Sequence, residues 1–207
     1  MAISTFTTKI TGGGKIQASN ATYLTARNAT TGTVSTETSR PGNSNIAGTY
    51  YVGRGFCTFD LTDPTSGLAI PVGSTIIEGA NTFIRAVGVG AAQNVDTDSL
   101  TLVASTPASN ISLTGNDFDN IGSTQFVTAL PFASWNGSGN NDIQLNATAI
   151  AALVLAAFNA FAWRTTKDIA GTQPTNYNWT DMADGTNLLS IEYTPPAVGR
   201  NQAYIVG

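Results

Sequence analysis

Apolar and polar residues alternate along most of this chain, and Tyr50–Leu61 is the strongest instance. Cys57, Phe59 and Leu61 fall on one face of that segment, and Phe56, Thr58 and Asp60 on the other. A period of two is strand spacing, and aromatic residues on both faces place the strand in the middle of a sheet. Asp63-Pro64 and Ile70-Pro-Val-Gly73 supply turn chemistry around the next connection. Ile76–Ala86 then directs Ile76, Ala80, Ile84 and Ala86 inward. The same alternation predicts strands at Thr8–Ile10, Tyr23–Arg27, Ser99–Ala104, Gln125–Leu130, Asp142–Leu145, Ala160–Thr166 and Asn187–Tyr193. Gly12-Gly-Gly14 reads as a turn and Thr30–Asn45 as a polar surface loop. Pro195-Pro196 ends the sheet, because proline has no N–H to give the ladder.

One segment breaks the alternation. Between residues 147 and 158, Ile150, Val154 and Phe158 recur every fourth position in an alanine-rich context, which is helical spacing. Asn146 is placed to cap it, its side chain accepting from the first free N–H groups. The expectation is an all-β sandwich with one short α-helix at about 147–158. That helix covers an open end of the sandwich or, on the other reading, binds a partner. Residues 1–195 form a single domain, of which 1–46 are an N-terminal strand and arm region, and 196–207 are a C-terminal tail. Both ends are natural arms for attachment.

Composition changes the picture mainly through charge. Of 207 residues, 42% are hydrophobic, enough for a core, but only 11% are charged, against a usual quarter. Thr, Ser, Asn and Gly carry the solubility, a profile shared by virion and secreted surface proteins. The nine basic residues are scattered and the net charge is −4, so the clustered cations that displace counterions from nucleic acid are missing. Met1–Phe6 has neither a basic nor an apolar region of a signal peptide, and no apolar run is long enough to span a bilayer. Cys57, the single cysteine, has no partner for an intrachain disulfide and reads as a buried thiol.

The chain has no histidine. Ser-His-Asp and Cys-His sites in their usual forms are therefore excluded, as are zinc sites built on His or on several thiolates. Gly12-Gly-Gly-Lys15 lacks the Gly-Lys-Ser/Thr ending of a phosphate loop. A glycosidase needs two carboxylates across a cleft, which spacing alone does not show; the expectation is a non-enzyme. No cofactor is expected except calcium, for which Asp96, Asp98, Asp117 and Asp119 are the candidates; ordinary Asp turn chemistry is the alternative. Among aromatic residues in polar surroundings, Trp135, Tyr177 and Trp179 are the candidates for stacking on a glycan or on a neighbouring subunit; plugging the core is the third option.

The order of signals carries a resemblance. Tyr23-Leu-Thr-Ala-Arg27 is followed by Arg54-Gly-Phe-x-x-Phe-Asp60, Ile70-Pro-x-Gly-Ser-Thr-Ile76, Asp117-Phe-Asp-Asn-Ile-Gly122 and Ile143-x-Leu145-Asn146. Trp163-Arg164-x-x-x-Asp168 and Leu189-x-Ile191-x-Tyr193 close the series. Over roughly residues 20–195 this resembles the DNRLRE-type family of jelly-roll sandwiches, related to certain carbohydrate-binding modules and similar in layout to some bacteriophage structural proteins. The resemblance implies a jelly-roll topology, and it implies that Arg54, Asp60, Arg164 and Asp168 are framework residues. A strand arginine in so sparsely charged a chain is expected to pair with a carboxylate, since burying it alone is costly. The function implied is a non-enzymatic virion component, a capsid decoration or head/tail-associated protein of a tailed phage, assembled in the host cytoplasm. Its partners would be copies of itself and other virion proteins, not nucleic acid or membrane. The alternative is a carbohydrate-binding module used for surface or host-glycan adhesion.

Overall fold

The computed structural model describes residues 3–35, 38–62, 69–94, 97–183 and 185–197. Its strands are β1 (Ser4–Asn20), β2 (Thr33–Ser35), β3 (Thr38–Ser39), β4 (Gly42–Ile46), β5 (Thr49–Asp60), β6 (Thr75–Ile76), β7 (Phe83–Asn94), β8 (Ser99–Ala104), β9 (Leu130–Pro131), β10 (Asn140–Gln144), β11 (Phe158–Thr165), β12 (Tyr177–Ala183) and β13 (Leu188–Thr194). One sheet runs β1–β13–β7–β10 and the other β5–β11–β8–β9, all antiparallel. Two four-stranded sheets in these orders make a jelly-roll sandwich, the all-β architecture expected from the alternation.

Two long strands serve both layers. Residues 4–9 of β1 pair with β13, and residues 10–20 cross to pair with β5. Residues 83–87 of β7 lie in the first sheet, while its C-terminal half pairs with β12. β12 also pairs with β4, and β4 with β5, so the second sheet continues as β1–β5–β4–β12 past the sandwiched region.

The core has two compartments. Between the sheets lie Phe6, Phe59, Leu102, Phe161, Trp163 and Ile191 with their neighbours. On the far side of the second sheet, Ile16, Val52, Phe56, Val103 and Ala162 pack under Tyr23, Ala26 and Phe118. That cover is helix α1 (Tyr23–Arg27) and the 3-10 turn Gly115–Asp119, with α3 (Thr166–Ala170) adding Ile169. The cover explains why β5 is apolar on both faces: neither faces water.

Several local expectations are corrected. Tyr23–Arg27 is a helical turn, not a strand: Tyr23 and Ala26, three apart, are its buried residues, and packing on the sheet overrides the β-propensity of the segment. Gly12-Gly-Gly14 is not a turn. β1 runs through it with a register shift between Ile10 and Gly12, and a Cβ at Gly12 would collide with the Asn110 carbonyl. The region 30–45 contains strand residues of β2, β3 and β4 rather than only loop. Of Gln125–Leu130 only Leu130 enters a strand, although Val127 makes an isolated bridge to Leu145. Ile76 and Ile84 belong to separate strands, β6 and β7.

Among the described residues there are three short α-helices rather than one. Helix α2 spans Ala147–Ala152, with the Asn146 side chain accepting from the Ala149 N–H at 2.9 Å. It stops six residues earlier than the spacing predicts, because Leu153 is already extended and Asn159 bonds both the N–H and the carbonyl of Val154. Val154 and Phe158, two members of the periodic stripe, are 57% and 40% exposed. The connection Asp63-Pro64 and the tail beyond residue 197 lie outside the described residues.

Candidate functional site

Three of the four framework residues, Arg54, Arg164 and Asp168, meet under the cover layer. Arg54, on β5, donates from Nε (2.9 Å) and Nη2 (3.0 Å) to the two carboxylate oxygens of Asp168. Arg164, on β11, donates from Nε to the same carboxylate at 2.7 Å. Arg27, at the end of α1, donates to the Asp168 carbonyl at 2.5 Å and lies 3.6 Å from its carboxylate. Three guanidinium groups thus surround one carboxylate, and the remaining donors reach the carbonyls of Phe118, Gly122, Arg27 and Ile169. The Arg54 guanidinium also lies 4.1 Å from the centre of the Phe118 ring. The group ties α1, α3 and the 115–122 segment to the sheet. Burial pushes the Asp168 carboxyl up, but hydrogen bonds and charge from Arg164 and Arg54 outweigh it and hold the group below its ordinary range. Asp60 stands apart. Its carboxylate accepts from Thr62 at the end of β5, and among the described residues it joins no ion pair.

The calcium candidates are not brought together. Asp96 lies outside the described residues. Asp98 is buried at the start of α3, where Oδ1 accepts from Ser99 N–H, Thr166 Oγ1 and Lys167 N–H; burial raises its pKa. Asp117 organises the 108–120 loop, accepting from the N–H groups of Ala108 and Thr114, the Thr114 hydroxyl and the Asn120 amide. Burial acts against its charge, yet those bonds lower its pKa. Asp119 is exposed. Among the described residues no three His, Cys, Asp or Glu side chains converge as metal ligands would. Asp98 and Asp117 do turn and capping work.

The aromatic candidates separate into core and surface. Trp135 is 8% exposed, packs into the inter-sheet core and donates from Nε1 to the Gly90 carbonyl at 3.2 Å. Its ring is therefore structural and does not present a face to a ligand. Tyr177 and Trp179 are not in a loop: they are same-face residues of β12, half-buried, with ring centres 4.9 Å apart in an edge-on arrangement. The register places Trp179 beside Gly42, Gly42 beside Gly53 and Gly53 beside Gln17. The next row is Tyr177, Ser44, Tyr51 and Ser19. Directly opposed residues point to the same side of a sheet. These two rows therefore form one face, opposite to Ile16 and Ala18, which pack under α1.

Arg40 rims this face. Its guanidinium lies 5.5 Å from the Trp179 ring centre and is bidentate to Asp181, at 2.5 and 3.1 Å. The glycines of the first row permit close approach: a Cβ at Gly53 would meet the Arg40 carbonyl, and one at Gly42 would meet Trp179. The result is a depression of about 120 Å³ lined by Gln17, Arg40, Ser44, Ile46, Tyr51 and Trp179. Trp179 was legible as a candidate from its aromatic and polar surroundings. Gln17, Arg40 and Ser44 were not, because only the pairing of β1, β5, β4 and β12 brings them together.

No protein-family model matches the chain, and no curated protein matches it.

Proposed function

We propose that the chain is a non-enzymatic structural component of a virion, a capsid decoration or head/tail-associated protein of a tailed phage. The observation that supports it best is how little charge the exterior offers. All five described arginines are engaged in ion pairs with the protein's own carboxylates: Arg27, Arg54 and Arg164 with Asp168, Arg40 with Asp181, and Arg85 with Asp142. Only 11% of the whole chain is charged, which leaves few unpaired charges for the exterior. Such a surface packs against copies of itself or a protein shell with little desolvation of charge. Quantitative mass spectrometry of purified particles tests this. A copy number at a fixed ratio to the major shell protein is expected, and absence from particles overturns it.

A second reading, a carbohydrate-binding module serving surface or host-glycan adhesion, is favoured by the Tyr177–Trp179 pair on an accessible sheet face. The two readings are compatible in one protein, since an adhesive face on a virion component needs only one side of the sandwich.

A further inference from the structure

We propose that the depression between Gln17 and Trp179 on the β1–β5–β4–β12 face is a binding site for a pyranose unit of a neutral glycan. The inference deepens the adhesion reading and rests on it. Three features of the site point to the ligand class. The first is an aromatic wall: Trp179 lines the depression from β12 and Tyr51 from β5. An aromatic face takes the C–H-bearing face of a sugar ring, and the apolar Ile46, 38% exposed, extends that surface.

The second feature is unused hydrogen-bonding capacity. The Gln17 amide, the Ser44 hydroxyl and the Tyr51 hydroxyl border the same depression, and none has a side-chain hydrogen-bond partner among the described residues. An amide and two hydroxyls provide both donors and acceptors, as a ligand rich in hydroxyl groups requires. By comparison, Asn141, Asn146 and Asn159 each engage their side-chain amides with several backbone groups.

The third feature is neutrality. Among the residues lining the depression the one cation, Arg40, is matched by Asp181 in a two-point pair, so the lining itself carries no excess charge with which to attract an anionic sugar. A phosphate or uronate ligand would have to compete with Asp181 for the guanidinium.

The experiment is a fluorescence titration of the purified protein with cellohexaose, maltohexaose and chitohexaose, alongside polygalacturonate as an acidic comparison. Trp163 is fully buried and Trp135 nearly so, which leaves Trp179 as the tryptophan that a surface ligand can reach. We expect a saturable change with at least one neutral oligosaccharide, insensitive to salt between 0.05 and 0.5 M. Gln17→Ala is expected to weaken binding by about 3- to 10-fold, the loss of one hydrogen bond. Trp179→Ala is expected to weaken it by ~10-fold or more, measured by calorimetry because the reporter is removed. Gln17→Ala keeps the test valid if Trp179→Ala fails to fold. Sugar binding that both variants leave unchanged overturns the site but spares the adhesion reading. No binding by any of the neutral oligosaccharides overturns both. Preferential, salt-sensitive binding of polygalacturonate overturns the ligand class.

Discussion

Replacing Asp168 with Asn removes the one negative charge around which three arginines are arranged while leaving the side-chain volume nearly unchanged. The Arg54 and Asp168 side chains are each 2% exposed and that of Arg164 is 6% exposed, so solvent cannot take over the role of the carboxylate. Breaking a buried pair from one side costs about 3–5 kcal/mol, because the stranded charge remains desolvated. Here two deeply buried guanidinium groups are stranded at once, with Arg27 partly exposed beside them. The upper part of that range is expected, and for a chain of this size it corresponds to a fall in Tm of roughly 10–20 °C. Urea unfolding at pH 7, followed by the fluorescence of the buried Trp163, measures the loss directly. A second signature is acid sensitivity. Asp168 is held below its ordinary value of 3.8 in the folded state. Its contribution is therefore present above about pH 4 and lost as pH falls through the lowered folded value. The Asn variant should show a flatter acid limb than the parent. A loss under ~1 kcal/mol at pH 7 with an unchanged urea slope would contradict this role for Asp168, and would mean that the carbonyls of Phe118, Gly122, Arg27 and Ile169 suffice to hold the arginines.

The other perturbations divide core from surface. Trp135→Ala should cost about 3–5 kcal/mol in urea unfolding, as expected of a large buried ring, whereas Trp179→Ala should cost about 1 kcal/mol or less. Asn146→Ala removes the cap of α2 and the bond to the Gln125 carbonyl, and a loss of ~1–2 kcal/mol is expected in the same assay. Gly171→Ala puts a Cβ at φ +70°, the left-handed end of α3, and should lower stability by about 1 kcal/mol. For Asp98 the sign is reversed. Burial raises its folded pKa, so its contribution is full below the ordinary 3.8 and is lost as pH rises through the raised folded value. Asp98→Asn, which keeps the Oδ1 acceptor, should be at least as stable as the parent at pH 7; a loss above ~2 kcal/mol would contradict this.

The sandwich was legible because its main strands alternate cleanly. β5, β8, β11 and β13 coincide with the predicted segments to within about two residues, the usual uncertainty of element ends. The errors share one physical cause, tertiary context that a local pattern does not carry. Tyr23–Arg27 has strand composition, but it lies over Ile16 and Val52, and one helical turn buries Tyr23 and Ala26 together. Gly12-Gly-Gly14 resembles a turn, yet Gly12 serves the close passage of the 110–111 segment and Gly13 the close approach of the Phe56 carbonyl. The stripe Ile150, Val154, Phe158 fits a helix, but Phe158 pairs with Asp60 as the first residue of β11. At the candidate site, Trp179 was visible in the sequence, and the partner of Arg54 was not. Asp60 is six residues away from Arg54 along the strand and Asp168 is 114, yet it is the distant residue that β11 and α3 bring beneath the guanidinium. The row Gln17, Gly53, Gly42, Trp179 that lines the depression spans four strands and has no counterpart in any linear motif.

The proposed role makes one demand that can be measured directly. Purified protein should co-sediment with particles from which it has been stripped, and the affinity should change less than about threefold between 0.05 and 0.5 M salt, because charges already paired within the protein contribute little to a screened attraction. Saturable, salt-tolerant association is the predicted result. Failure to associate, or association that collapses as salt is raised, would contradict a sparsely charged exterior built for assembly.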